Sequence, residues 1–196
     1  MSRCVDFYFD VGSPASYLAW TQLPDLARSL DARINWKPIL LGGLFQATGN
    51  QSPAANPAKG RYLFTDLSRY AARYGVEFTL NPYFPINTLR LMRGAAGLLG
   101  SADFEAYLNA VYPALWSEGK NLGDADVLNE VLRKAGIDPA ENDALCGSEE
   151  VKERLKSLTG EAVSRGAFGV PTFFVGDEMY FGQDRLEWVA AALEKQ

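Results

Sequence analysis

Apolar positions fall in two rhythms along the chain, short runs at both ends and helical spacing between them. Val5-Asp6-Phe7-Tyr8-Phe9 is a short apolar run rich in aromatics, which predicts a buried strand over roughly Val5 to Asp10. Gly12 breaks the run. Ser13 then stands where a helix N-cap belongs and Pro14 at the first helical position. From there Ala15, Leu18, Ala19, Leu23, Leu26, Ala27 and Leu30 share one helical face, with Pro24 expected to kink the helix near Trp20. Arg33 to Leu41 predicts a second strand, in which Pro38 marks a bulge or a sheet edge. The opening is therefore a β-α-β unit, for which a parallel pair is the default.

Gly42 to Lys59 reads as a long loop, because Gly42-Gly43, Gly49-Asn50, Ser52-Pro53 and Asn56-Pro57 are turn signals. A helix is predicted from about Lys59 to Tyr74, stopped by Gly75. Asn81 to Thr88, interrupted by Pro82 and Pro85, is irregular, and Asn87 or Thr88 caps a helix reaching about Leu99. Helical spacing continues over residues 103–117, 124–135, 139–145 and 148–165. The end reverts to strands over residues 169–175 and 178–181, joined by Gly176-Asp177 as a hairpin. A last helix follows, with Asp184 and Glu187 at capping-box spacing. Residues 1–41 and 166–196 thus form one unit, and residues 42–165 a helical insertion within it. Without the insertion, βαβ…ββα with a proline opening the third strand is a thioredoxin-like α/β fold.

Composition narrows the chemistry. The 196 residues include no histidine. That excludes a Ser-His-Asp triad, a Cys-His dyad and most catalytic zinc sites. The two cysteines, Cys4 and Cys146, form no C-x-x-C and read as structural. A net charge of −5 argues against a nucleic-acid footprint. No apolar run reaches membrane-spanning length, and Asp6 and Asp10 interrupt any leader-like stretch after Met1-Ser2-Arg3-Cys4, so a cytoplasmic protein is expected. The first predicted helix keeps one further possibility open. A helix start carries unpaired N–H groups and partial positive charge, which suit an anion such as a thiolate. Ser13 there either serves that site or only caps the helix.

Two motifs carry a resemblance. Phe7-Tyr8-Phe9-Asp10 with Ser13-Pro14-Ala15-Ser16-Tyr17-Leu18-Ala19 is the first. Phe168-Gly169-Val170-Pro171-Thr172-Phe173 with Phe181-Gly182-Gln183-Asp184-Arg185 is the second. Together, in this order, they resemble the 2-hydroxychromene-2-carboxylate isomerases, relatives of kappa-class glutathione transferases and DsbA-like oxidoreductases. Redox relatives carry C-x-x-C at the helix start, where this chain has Ser13-Pro14-Ala15-Ser16, so dithiol exchange on that motif is excluded. The resemblance implies that Ser13 activates the thiolate of glutathione by hydrogen bonding, while Ser16, one turn on, is expected on the helix surface. It implies a cis-proline at Val170-Pro171 that offers the Val170 backbone to the extended peptide of glutathione. Phe181, Gly182, Gln183 and Asp184 are then expected to hold the γ-glutamyl end. Leu44, Phe45, Asn56, Lys59, Ile86 and Asn87 fall near family positions that face cofactor or substrate. Arg90 and Arg185 are candidates for a substrate carboxylate, weighed against a plain surface role.

The function so implied is glutathione-dependent interconversion of 2-hydroxychromene-2-carboxylate and trans-o-hydroxybenzylidenepyruvate, in aromatic catabolism. The proposed chemistry is reversible thiolate addition, which needs neither metal nor histidine. The resemblance also implies a homodimer. A kappa-like glutathione transferase acting on other electrophiles is the alternative. A non-catalytic thioredoxin-fold binding module is the third.

Overall fold

A computed structural model describes residues 3–196; Met1 and Ser2, part of the stretch scanned for a leader, lie outside the described residues. Strand β1 (Cys4–Phe9) leads into helix α1 (Pro14–Ser29), then strand β2 (Arg33–Pro38). Helices α2 (Leu41–Thr48), α3 (Pro57–Tyr74), α4 (Leu89–Leu98) and α5 (Phe104–Trp116) follow. Next come α6 (Ala125–Lys134), α7 (Pro139–Gly147) and α8 (Glu149–Ser164). Strands β3 (Thr172–Val175) and β4 (Glu178–Phe181) and helix α9 (Leu186–Glu194) complete the chain.

Helix starts follow local chemistry. Ser13, Asn56, Asp124, Asp138 and Ser148 each cap a helix through a side-chain oxygen, and Pro14, Pro57 and Pro139 sit at first helical positions. One element departs from expectation. Leu41, expected to end the second strand, and residues 42–48 of the predicted loop form α2, and Pro53–Ala55 a 3₁₀ turn. Gly42 and Gly43 signal a turn locally, but α2 packs on α8 and Leu44 is fully buried. Tertiary packing outweighs the local glycine signal.

The sheet order is β2-β1-β3-β4. β1 pairs parallel with β2 and antiparallel with β3, Phe7 facing Phe173, and β3 pairs back with β4. Pro38 lies on an edge strand, where its missing N–H is tolerated. The two-residue period of β1 splits its side chains between two layers. Val5, Phe7 and Phe9 enter the larger core, and Phe7 stacks on Phe173 with ring centroids 5.2 Å apart. That core continues into α5, where Tyr112 stacks on Trp20 at 5.0 Å. Tyr8 faces the other layer with Ile39, Leu44 and Phe174.

A polar network closes that second layer. The Tyr8 hydroxyl donates to Glu161 Oε1 at 2.5 Å, and Lys37 Nζ donates to the same oxygen at 3.0 Å. Arg165 donates to Asp6 at 2.6 Å and lies 3.8 Å over the Phe174 ring. Burial alone lifts the Glu161 carboxyl, but the Tyr8 hydroxyl and Lys37 outweigh it and hold the group below the usual carboxylate range.

Candidate functional site

The candidate site is built on the turn between β1 and α1. Ser13 is 6% exposed. Its N–H donates to the Asp10 carbonyl at 3.0 Å. Its hydroxyl oxygen accepts from the Ser16 N–H at 3.2 Å and donates to the Val170 carbonyl, also at 3.2 Å. The hydroxyl therefore caps α1 and touches the second motif at once. The capping reading of Ser13 is met by the bond from Ser16.

Groups from distant segments fix this turn. The Val11 N–H points at Met92 Sδ at 3.3 Å, and Trp116 Nε1 donates to the Val11 carbonyl at 2.8 Å. The Gly12 N–H donates to Asp10 Oδ1 at 2.9 Å. A Cβ on Gly12 would lie 2.5 Å from the Thr88 methyl, so this position requires glycine. Asp10, 1% exposed, also accepts from the Leu41 N–H and the Thr88 hydroxyl. Burial pushes its carboxyl above the ordinary aspartate range, against the pull of those three donors.

The Val170-Pro171 bond is cis. The Val170 N–H meets no backbone or side-chain acceptor among the described residues. The Gly182 N–H donates to the Pro171 carbonyl at 2.9 Å, which brings residues 181–184 to the same place. Gly182 has φ +106° and ψ 150°, a region open essentially to glycine alone. Tyr74 on α3 donates to the Gln183 carbonyl at 3.2 Å. Phe181 is half-exposed against Phe168, with centroids 4.6 Å apart. The predicted capping box does not form. Residues 183–185 make a 3₁₀ turn, and the Asp184 carboxylate pairs with Arg185 at 2.6 Å.

The expected substrate positions separate. Leu44 is fully buried, in the same cluster as Val170, and Phe45 beside it is half-buried. Ile86 and the exposed Asn87 lie just before α4, next to Thr88 and so close to Asp10. Asn87 Oδ1 accepts from the Leu89 N–H at 3.0 Å. Asn56 is engaged as the α3 cap, and Lys59 is exposed on the first turn of that helix. No described hydrogen bond ties Asn56 or Lys59 to Ser13. Arg90 pairs with Asp143 at 2.5 Å, and Arg185 with Asp184, so both arginines already have anionic partners.

Ser16 is not on the helix surface. It is fully buried, and its hydroxyl has no partner among the described residues. Sequence reasoning gave Asp10 no role at the site, took Thr88 only as a candidate helix cap, which its side chain does not supply, and passed over Trp116. Only Asp10 left a signal, a carboxylate inside an apolar run that must be buried and paired. Among the described residues no group of three or more potential metal ligands occurs, and no helix is long and apolar enough to cross a membrane.

Comparison with known proteins adds the following. The family model for the DSBA-like thioredoxin domain matches residues 4–194. A 2-hydroxychromene-2-carboxylate isomerase of Sphingobium xenophagum is 33% identical, over 98% of this chain and 99% of that protein. A solved structure of a 2-hydroxychromene-2-carboxylate isomerase superposes with TM-score 0.88 at 35% identity, covering 98% of this chain and 95% of that one. Glutathione S-transferase kappa 1 of Rattus norvegicus is 27% identical, over 97% of this chain and 91% of that protein.

Proposed function

This chain belongs to the DSBA-like thioredoxin-domain family, among the relatives of 2-hydroxychromene-2-carboxylate isomerases, and from that premise we propose that it is a glutathione-dependent isomerase of that type. The reaction proposed is the interconversion of 2-hydroxychromene-2-carboxylate and trans-o-hydroxybenzylidenepyruvate. The observation that carries the proposal is the Ser13 hydroxyl, at the first turn of α1 and 3.2 Å from the Val170 carbonyl. A hydroxyl stands where redox relatives place a thiol, so the sulfur must come from outside the chain.

Two features favour a peptide thiol. The Val170 N–H is without an acceptor among the described residues, and the Gly182–Pro171 hydrogen bond sets residues 181–184 beside it. Val170 offers backbone pairing to an extended peptide. Phe181, Gly182, Gln183 and Asp184 hold the γ-glutamyl end, where the Asp184 carboxylate takes the ammonium in exchange for part of its pairing with Arg185. Ser13 turns its hydroxyl from the Val170 carbonyl to the sulfur and donates a hydrogen bond to it. The α1 N-terminus adds its partial positive charge, and both favour the thiolate. When bound, glutathione supplies a thiolate that adds reversibly to an electrophilic carbon, so that the former double bond rotates before the sulfur leaves. Leu44, Phe45, Asn56, Lys59, Ile86 and Asn87 form the substrate side of the proposal, and a cytoplasmic homodimer its setting.

A kappa-like transferase is the second reading, favoured by the relative named glutathione S-transferase kappa 1. One measurement separates the two. The absorbance of 2-hydroxychromene-2-carboxylate is followed with enzyme, with and without glutathione. Conversion only with glutathione is expected. Glutathione binding by calorimetry without conversion moves the assignment to a transferase with another electrophile. Neither conversion nor binding leaves a thioredoxin-fold binding module.

A further inference from the structure

Asp10 is the one buried charged side chain among the described residues. Its oxygens are shared among three segments. Oδ1 accepts from the Gly12 N–H at 2.9 Å, in the turn that presents Ser13. Oδ2 accepts from the Leu41 N–H at 2.8 Å, at the first residue of α2. The same oxygen accepts from the Thr88 hydroxyl at 3.0 Å, at the residue preceding α4. Leu40, at the α2 N-cap, supplies no side-chain bond, so Asp10 stands in for that cap from 31 residues away. The Thr88 hydroxyl is spent on Asp10 rather than on capping α4.

Those three segments carry Ser13, Leu44 with Phe45, and Ile86 with Asn87. We propose that Asp10 is a positioning residue, whose single carboxylate sets the Ser13 turn in register with the starts of α2 and α4 and so aligns the hydroxyl with the substrate side of the site. The network itself is independent of any assigned reaction; its catalytic meaning rests on the function proposed above.

The chemistry of the donors makes the role specific to a carboxylate. Two of the three donors are backbone N–H groups, which cannot reverse direction. A carboxylate accepts from all three. An asparagine offers one oxygen, so either Gly12 or Leu41 would face an amide NH₂ and lose its acceptor. Removing the buried charge at the same time relieves a desolvation cost. Stability is thus pulled both ways by Asp10→Asn, whereas alignment is pulled only one way.

The test is made on the full chain with Asp10→Asn, Thr88→Val and Thr88→Ser. Steady-state isomerisation, glutathione affinity by calorimetry and thermal melting are measured on each. Asp10→Asn is expected to lower kcat by about 10–100-fold, the scale of a misplacement near 1 Å. Its affinity for glutathione is expected to fall far less than kcat, because no described hydrogen bond joins Val170 or residues 181–184 directly to the Asp10 carboxylate, and melting to stay cooperative. Thr88→Val is expected to lower kcat by about 3–10-fold, and Thr88→Ser, which keeps the hydroxyl, to lie within about twofold of the parent. An unchanged kcat in Asp10→Asn overturns the proposal, as does an activity loss matched by equal loss of folded protein. If Asp10→Asn does not fold, the Val and Ser variants of Thr88 decide it alone, and equal rates in the two overturn it. If the parent shows no glutathione-dependent turnover, the function reading has failed instead. Amide exchange then decides the positioning role: faster exchange at Gly12 and Leu41 in Asp10→Asn supports it, and unchanged exchange overturns it.

Discussion

The Ser13 hydroxyl donates to the Val170 carbonyl across 157 residues of chain, at 3.2 Å. The bond joins the start of α1 to the Pro171 loop and brings two distant motifs into contact. It is a resting partner for a hydroxyl that the proposed reaction needs elsewhere. Ser13→Ala is expected to lower glutathione-dependent turnover by about 10–1000-fold, the range for loss of one transition-state donor. The same change removes a helix cap, and about 1 kcal/mol of stability with it. Turnover and urea unfolding measured together separate the two effects. Full turnover in a variant destabilised by that amount would leave Ser13 as a cap alone.

Gly182 tests the other half of the site. A Cβ there would lie 2.5 Å from Asp184 Oδ1, and its φ of +106° disfavours any other residue. Gly182→Ala is expected to cost about 1–3 kcal/mol and to displace Gln183 and Asp184. Calorimetry should then show glutathione binding weakened by about tenfold. Binding at parental affinity would remove residues 181–184 from the cofactor site.

Glu161 gives a pH prediction. Its carboxyl lies below the usual carboxylate range in the folded chain, because the Tyr8 hydroxyl and Lys37 outweigh burial. A depressed folded value means stability that is present above the unfolded value and is lost as pH falls through the folded one. Glu161→Gln is therefore expected to melt below the parent near neutral pH. The difference should narrow through the acid range, as pH falls through the depressed folded value, and close below it. A melting difference that is flat with pH would show that the charge contributes nothing.

Cys146 should be inert. Burial pushes its thiol up to about 11, with Asp143 adding to the effect, and its Sγ sits 3.5 Å from the Arg90 carbonyl. Thiolate at neutral pH is then roughly one part in ten thousand. Iodoacetamide on the native protein is expected to modify Cys146 at least about 100-fold more slowly than free cysteine. Mass spectrometry of timed samples reads this directly, and rapid labelling would mean that α7 opens.

The parts of the fold visible in the sequence are those with local causes. Ser13-Pro14 announces the start of α1, Gly75 the end of α3, and Gly176-Asp177 the hairpin of β3 and β4. The parts that are not visible depend on partners far along the chain. Helix α2 contradicts its own glycines because α8 covers it and Asp10 holds its start. Ser16 has the spacing of an exposed position, yet it is fully buried. Asp10 interrupts a leader-like pattern in the sequence, and nothing nearby says that its partners are Leu41 and Thr88, 31 and 78 residues away.

The sheet order has a consequence for synthesis. β1 is made first and gains β2 at once, but its other neighbour, β3, begins at Thr172. A nascent chain on the ribosome therefore carries Asp6, Phe7 and Tyr8 along a bare strand edge until residues 172–174 have emerged. Such an edge recruits other chains, and pairing over this separation is slow. A chain cut short before Val170 yields a product with that edge permanently open and with no Val170 carbonyl to meet Ser13, a substrate for quality control.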